Sequence, residues 1–198
     1  MDGTLFYPVD LPENELELFV IQNAPHMFGP ATLYIPKKKL VGAHIKKVTD
    51  GLLLDLTNPH DPSFWIVEVE LGTHDPDHIE SQVSGFIRSL KKLKTLRELV
   101  KVVYDYVEKS KASPADWYTN SFVPAFTHAE GDQHAFIDAL IHKKRGVMIV
   151  TDGLNPKHAE VISDLRERSP VRVIEFKTYW KQGQLIHTFS QPDLSQSD

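Results

Sequence analysis

No cysteine occurs among the 198 residues. Its absence excludes disulfides and thiolate metal sites, and constrains the compartment only loosely. No apolar run reaches membrane-spanning length, and the opening MDGTLFYPVD lacks the basic and apolar regions of a secretory signal. The expectation is a cytoplasmic protein without membrane contact. No internal repeat, nucleophile elbow or dinucleotide fingerprint is present. TDGLNP around Asp152 has one glycine and no lysine in Walker spacing, so it is not a phosphate loop. Positive charge is in deficit too. The net charge of -5 is not that of a typical free-standing nucleic-acid binder. What is there is ordinary for a soluble globular chain, with 41% hydrophobic and 25% charged residues. The length suits one domain with a proper core.

The stretch Thr49 to Glu70, TDGLLLDLTNPHDPSFWIVEVE, is the most informative. Leu52, Leu53, Leu54 and Leu56 form one apolar run. Phe64, Trp65, Ile66, Val67 and Val69 form a second, rich in aromatic and β-branched residues. Asn58, Pro59, Asp61 and Pro62 punctuate a turn between them. A hairpin folded about residue 60 brings Asp50 opposite Glu70, with Glu68 two residues along. Strand alternation then puts all three acids on one face at one end. Such carboxylates repel one another unless a cation sits between them.

This pattern resembles the PD-(D/E)XK phosphodiesterase superfamily of restriction and repair nucleases. Its signature is an Asp at the start of one strand and a Glu or Asp, one residue and a Lys near the end of the next. Asp50 takes the first position, preceded by Thr49 rather than Pro; Glu68 takes the second, and Glu70 stands where the lysine is usual. Asp55 competes with Asp50 but has the wrong parity and sits near the turn. The resemblance implies an α/β fold: a central mixed β-sheet flanked by helices, a restriction-endonuclease-like core with a helical insertion. It also implies Mg²⁺ or Mn²⁺ held by Asp50, Glu68 and the Val69 carbonyl, with Glu70 as a supporting acid. Both ions prefer oxygen ligands. With no lysine there, three options stand: Glu70 ligates metal or accepts a proton, a base such as Lys46 or Lys47 supplies the charge from a neighbouring strand, or the site only binds. The implied activity is nucleic-acid hydrolysis, with DNA the expected substrate. The alternative is a catalytically inactive module of the same fold, binding nucleic acid or protein within a larger assembly. Many such nucleases dimerise, which makes a homodimer part of the expectation.

Flanking segments extend the resemblance to about Pro12 to Phe189. PENELELFVIQNAPHMFG looks like the family's first helix, with Leu16, Phe19, Val20 and Asn23 along one face. Glu13 shares that face and is the family-like acid; Glu15 and Glu17 read as solvated acids near a helix N-terminus. HDPDHIESQVSGFIRSL reads as a helix from Asp75 or Pro76, with Ile79, Val83, Phe86, Ile87 and Leu90 as its stripe. Gln82 and Phe86 resemble the family's Gln-x-x-x-Tyr element, in which the Gln helps organise the site.

Further strands are expected over Ala31–Pro36, Leu40–Val48, GVMIVTDG, VRVIEFKTYW and GQLIHTF, and further helices over residues 93–109, after Asp132 and after Asn155. The single domain spans residues 1–189, and residues 190–198 form a flexible tail. His74 and His78 have a metal-like spacing, with His60 in the nearby turn. Without Cys or an H-E-x-x-H pattern, they read as solvated or helix-capping residues. Glu175 and Lys177 form a second E-x-K, read as an edge-strand charge pair. The basic clusters Lys37–Lys39, Lys91–Arg97 and Lys143–Arg145 read as solvated runs, the second being the best candidate for phosphate contacts.

Overall fold

The two apolar runs form adjacent central strands of a mixed sheet in the computed structural model, which describes residues 7–37, 49–111, 118–128, 132–143, 145–181 and 183–191. The elements are β1 (Tyr7–Pro8), α1 (Glu13–Phe28), β2 (Thr32–Pro36), β3 (Gly51–Asp55), β4 (Ser63–Glu70), α2 (Pro76–Ser89) and α3 (Leu93–Ser110). A π-helical turn (Tyr118–Phe122) and α4 (Val123–His128) follow, then α5 (Gln133–Lys143), β5 (Arg145–Thr151), α6 (Pro156–Arg168), β6 (Val171–Lys181) and β7 (Gln184–Ser190). The fold is α/β. The sheet order is β1-β6-β5-β4-β3-β2, with β7 also paired to β6. β2, β3 and β4 form an antiparallel meander, whereas β5 runs parallel to β4 and β6 parallel to β5.

β4 is buried on both faces, as expected of a central strand paired on both sides. Its even positions, Phe64 and Ile66, enter a core built with α2, α3, α5 and α6. Its odd positions, Trp65, Val67 and Val69, enter a second core under α1, beside Leu16 and Val20. Local chemistry sets the helix starts. Asp75 accepts a hydrogen bond from the Asp77 N–H and precedes Pro76 at the first position of α2. Asp132 caps α5 through the Ala135 N–H, and Asn155 closes a capping box with His158.

Three expectations need correction. The hairpin register pairs Gly51 with Val67, so Asp50 does not lie opposite Glu70. The Asp50 N–H also bonds to the Val67 carbonyl, at 3.2 Å, so Asp50 and Gly51 together oppose one residue, as in a β-bulge. Glu175 and Lys177 are ion-paired at 3.2 Å, but β6 is no edge strand: it pairs with β5, β1 and β7. The expected tail also begins too early, because β7 runs through Ser190. The expected strand Leu40–Val48, with Lys46 and Lys47, lies outside the described residues, as do Lys38, Lys39, Lys144 and positions 192–198.

Candidate functional site

Asp50, Glu68 and Glu70 come together at the carboxyl end of β4, only 7%, 6% and 2% exposed. Open α/β sheets place ligands at such strand ends. The bulge explains how Asp50 reaches the site. The Thr49 hydroxyl sits between the Val67 and Gly51 carbonyls, at 2.8 and 2.9 Å, and holds the two-on-one pairing. Asp50 thereby turns its carboxylate along the sheet edge, where Oδ2 accepts the Val69 N–H at 3.0 Å. That N–H is the next ladder donor beyond the end of β3.

The cation beside Asp50 comes from the edge strand. Lys37 follows β2, and its N–H bonds to the Asp50 carbonyl at 2.7 Å, extending the ladder by one rung. Its Nζ lies 3.0 Å from Asp50 Oδ1. Lys37 was expected to be part of a solvated run; long-range strand pairing brings it into the acid cluster instead. Partial burial opposes its charge, but the hydrogen bond to Asp50 and the charges of Asp50, Glu17 and Glu68 outweigh that, so its pKa is raised.

Glu68 carries the strongest electrostatic signal. Burial pushes its carboxyl up to about 9, and the charges of Asp50 and then Glu70 add to this. Lys37 and the Asp50 backbone N–H offset only part of the effect. Its Oε2 is buried without a hydrogen-bond partner. Such an atom is costly unless something fills the position.

Both acids of the α1 face lie near the cluster, against different partners. Glu17 is the helix acid beside Asp50: its carboxyl is held up by burial first, then by Asp50, and lies within hydrogen-bond reach of it. Glu13, one turn earlier, is half-exposed and lies 4.0 Å from His74 Nε2. Asp55 is at the far end of β3, near Arg172 at 3.5 Å.

Glu70 faces a different set of partners. Its Oε2 lies 2.6 Å from His74 Nδ1 and its Oε1 3.6 Å from His78 Nε2. Gln82 Nε2 meets His78 Nε2 at 2.8 Å. The two histidines are thus neither merely solvated nor caps, since Asp75 holds the cap position. Glu70, His74 and His78 offer ligand atoms that all lie within 4.8 Å of one another. Spacing alone hinted at this; Glu70, His74, His78 and Gln82 recur every four residues.

Members of the other two basic clusters gather elsewhere. Lys91, Lys143, Arg145, Arg168 and Arg172 line a cavity of about 710 Å³ that also contains Asp55 and Ser63. Trp65, which also lines the cavity, is three positions from Glu68 on β4, so the cavity and the acid cluster are separated by roughly 10 Å of strand.

Compared with family models, curated proteins and solved structures, the chain matches none. No helix among the described residues is long and apolar enough to cross a membrane.

Proposed function

We propose that this protein is a divalent-metal-dependent phosphodiesterase of the PD-(D/E)XK kind, acting on nucleic acid with DNA as its expected substrate. The observation that carries the reading is Glu68: a buried carboxyl with an orphaned oxygen, beside the buried Asp50 that immediately precedes β3. That donor set is all oxygen and suits Mg²⁺ or Mn²⁺. Asp50, Glu68 and the Val69 carbonyl would hold the ion, which when bound would neutralise phosphate charge and lower the pKa of an attacking water. The element order supports the reading as well. Helix, strands, helix, strand, helix, strand is the order the resemblance implies, and the chain runs in that order with α3, α4 and α5 inserted before β5.

The chain's own residues take distinct parts. Lys37 supplies the cation that Glu70 cannot, from β2 rather than from the E-x-E strand. Its ammonium is aligned by Asp50 and can face a phosphate oxygen as charge accumulates there. Glu17 stands behind Asp50 and can share a proton with it. Glu70 is occupied by His74 and His78 and is not a substitute for lysine. That engagement, with the net charge of -5, favours the second reading: an inactive module of the same fold that binds nucleic acid or protein.

The test is divalent-dependent cleavage of single-stranded, duplex and branched DNA and of RNA, with matched Glu68→Gln preparations. The expected result is cleavage with Mg²⁺ or Mn²⁺ that the nearly isosteric substitution abolishes. No cleavage and no calorimetric binding of either ion overturns the reading in favour of the inactive module.

A further inference from the structure

We propose that Glu70, His74 and His78 form a second metal site, selective for a transition ion of the Zn²⁺ type over Mg²⁺. The inference stands on its own geometry and does not depend on the phosphodiesterase reading. Three ligand-bearing side chains converge within 4.8 Å, two of them imidazoles. Imidazole suits Zn²⁺ and its first-row neighbours, whereas Mg²⁺ prefers oxygen donors throughout. Two histidines and one carboxylate form a known catalytic zinc ligand set, which leaves a further position open to water or substrate. Zinc ligands at 2.0–2.2 Å lie roughly 3.4 Å apart in a tetrahedron, so only a modest contraction of the trio is required.

The position of the trio is fixed from outside it. Glu70 is the last residue of β4, nearly fully buried, and His78 lies in the first turn of α2. His74 sits on the connection between them, which is clamped twice. The Gly72 N–H donates to Asp152 Oδ1, and Gly72 packs so closely on Gly153 that a Cβ there would meet its carbonyl oxygen at 2.5 Å. His158, fully buried in α6, is the second clamp. Its Nδ1 accepts the Asn155 N–H at 3.4 Å, so its Nε2 carries the proton and donates to the His74 carbonyl at 2.9 Å. A buried histidine dedicated to holding the backbone of another histidine is the supporting shell expected of a metal site.

Two neighbours bear on occupancy. Glu13 Oε2, 4.0 Å from His74 Nε2, adds negative charge at the mouth. Gln82 holds His78 Nε2 and would have to release it to an ion, while its own Oε1 is buried without a partner.

The experiment is titration of the chelator-stripped full chain with Zn²⁺ in excess Mg²⁺, followed by calorimetry and repeated with Co²⁺ as a visible-absorbance probe. One tight equivalent is expected that Mg²⁺ does not displace, with Co²⁺ giving the d–d bands of a low-coordinate site. His74→Ala and His78→Ala should each weaken it by tenfold or more, and the double variant should lose it. Should either alanine variant misfold by near-ultraviolet circular dichroism, His74→Asn and His78→Gln are used instead. Asp50→Asn should retain the Zn²⁺ equivalent even as it removes Mg²⁺-dependent cleavage. Absence of a tight equivalent, or binding unchanged in the double variant, overturns the inference and leaves the Asp50–Glu68 reading intact. A Zn²⁺ equivalent that survives with no cleavage by any preparation supports this site and counts against that reading.

Discussion

Glu68 holds its proton more tightly in the folded chain than in the unfolded one, its pKa rising from 4.5 to about 9. Its contribution to stability is therefore fully present below about pH 4.5 and is lost as pH climbs through about 9. Glu68→Gln has no such proton to lose. In melts of the ion-free protein across that window, the variant should gain on the wild type as pH rises, by on the order of a few kcal/mol at the alkaline end. Parallel pH profiles would place the raised group elsewhere. Lys37 invites a second substitution. Under the proposed function, Lys37→Gln removes a charge that would face the phosphate and should lower kcat by roughly 10²–10³-fold. It also frees Asp50 of a competing cation, so the Mn²⁺ concentration giving half-maximal rate should stay level or fall. A variant with full kcat would strip Lys37 of its assigned part. The sequence displayed the acids but not their partners. Lys37 opened a lysine run that looks solvated, and only its ladder bond to Asp50, thirteen residues away, shows otherwise. Glu13 and Glu17 are one turn apart on one face, and helical periodicity cannot say which of them reaches Asp50.

At the scale of elements, the connection from β4 to α2 matters most, because it fixes the spacing between Glu70 and the two imidazoles. Gly72→Ala would drive a methyl into the Gly153 backbone. Neither chain can yield without moving a strand end, so a cost of about 1–3 kcal/mol is expected, a fall in Tm on the order of 5 °C for a chain of this size. Zn²⁺ affinity should drop with it, and an unchanged Tm would mean that the two loops separate freely. This connection was the least legible part of the sequence. Its anchors, Asp152 and His158, lie 80 and 84 residues from Gly72 and His74. Elements fixed by neighbouring residues were legible. Asp75, Asp132 and Asn155 mark the starts of α2, α5 and α6 because capping is local chemistry. The β3–β4 hairpin could be read from its two apolar runs. Its register could not, because the Thr49 hydroxyl creates a bulge that alternation does not foresee.

At the scale of the molecule, charge among the described residues is arranged against simple nucleic-acid binding. The acids gather at the carboxyl end of β4, while Lys91, Arg145, Arg168 and Arg172 line the cavity beside its start. A phosphate approaching Asp50 and Glu68 meets negative charge, moderated by Lys37, unless a divalent ion is bound. Removing that ion with a chelator should therefore abolish DNA retention in gel shifts as well as cleavage, and Ca²⁺ should restore retention. Retention undiminished by chelator would locate the phosphate contacts elsewhere, the basic cavity first. Net charge could be counted from composition; its segregation to opposite ends of one strand requires the sheet order.

The proton on Glu68 has a thermochemical consequence. An ion entering beside Asp50 must expel that proton at neutral pH, and the buffer must take it up. The heat of Mg²⁺ or Mn²⁺ binding should then differ between phosphate and Tris in proportion to their ionisation enthalpies. The slope counts the protons released: close to one at neutral pH, and vanishing above the pKa of about 9.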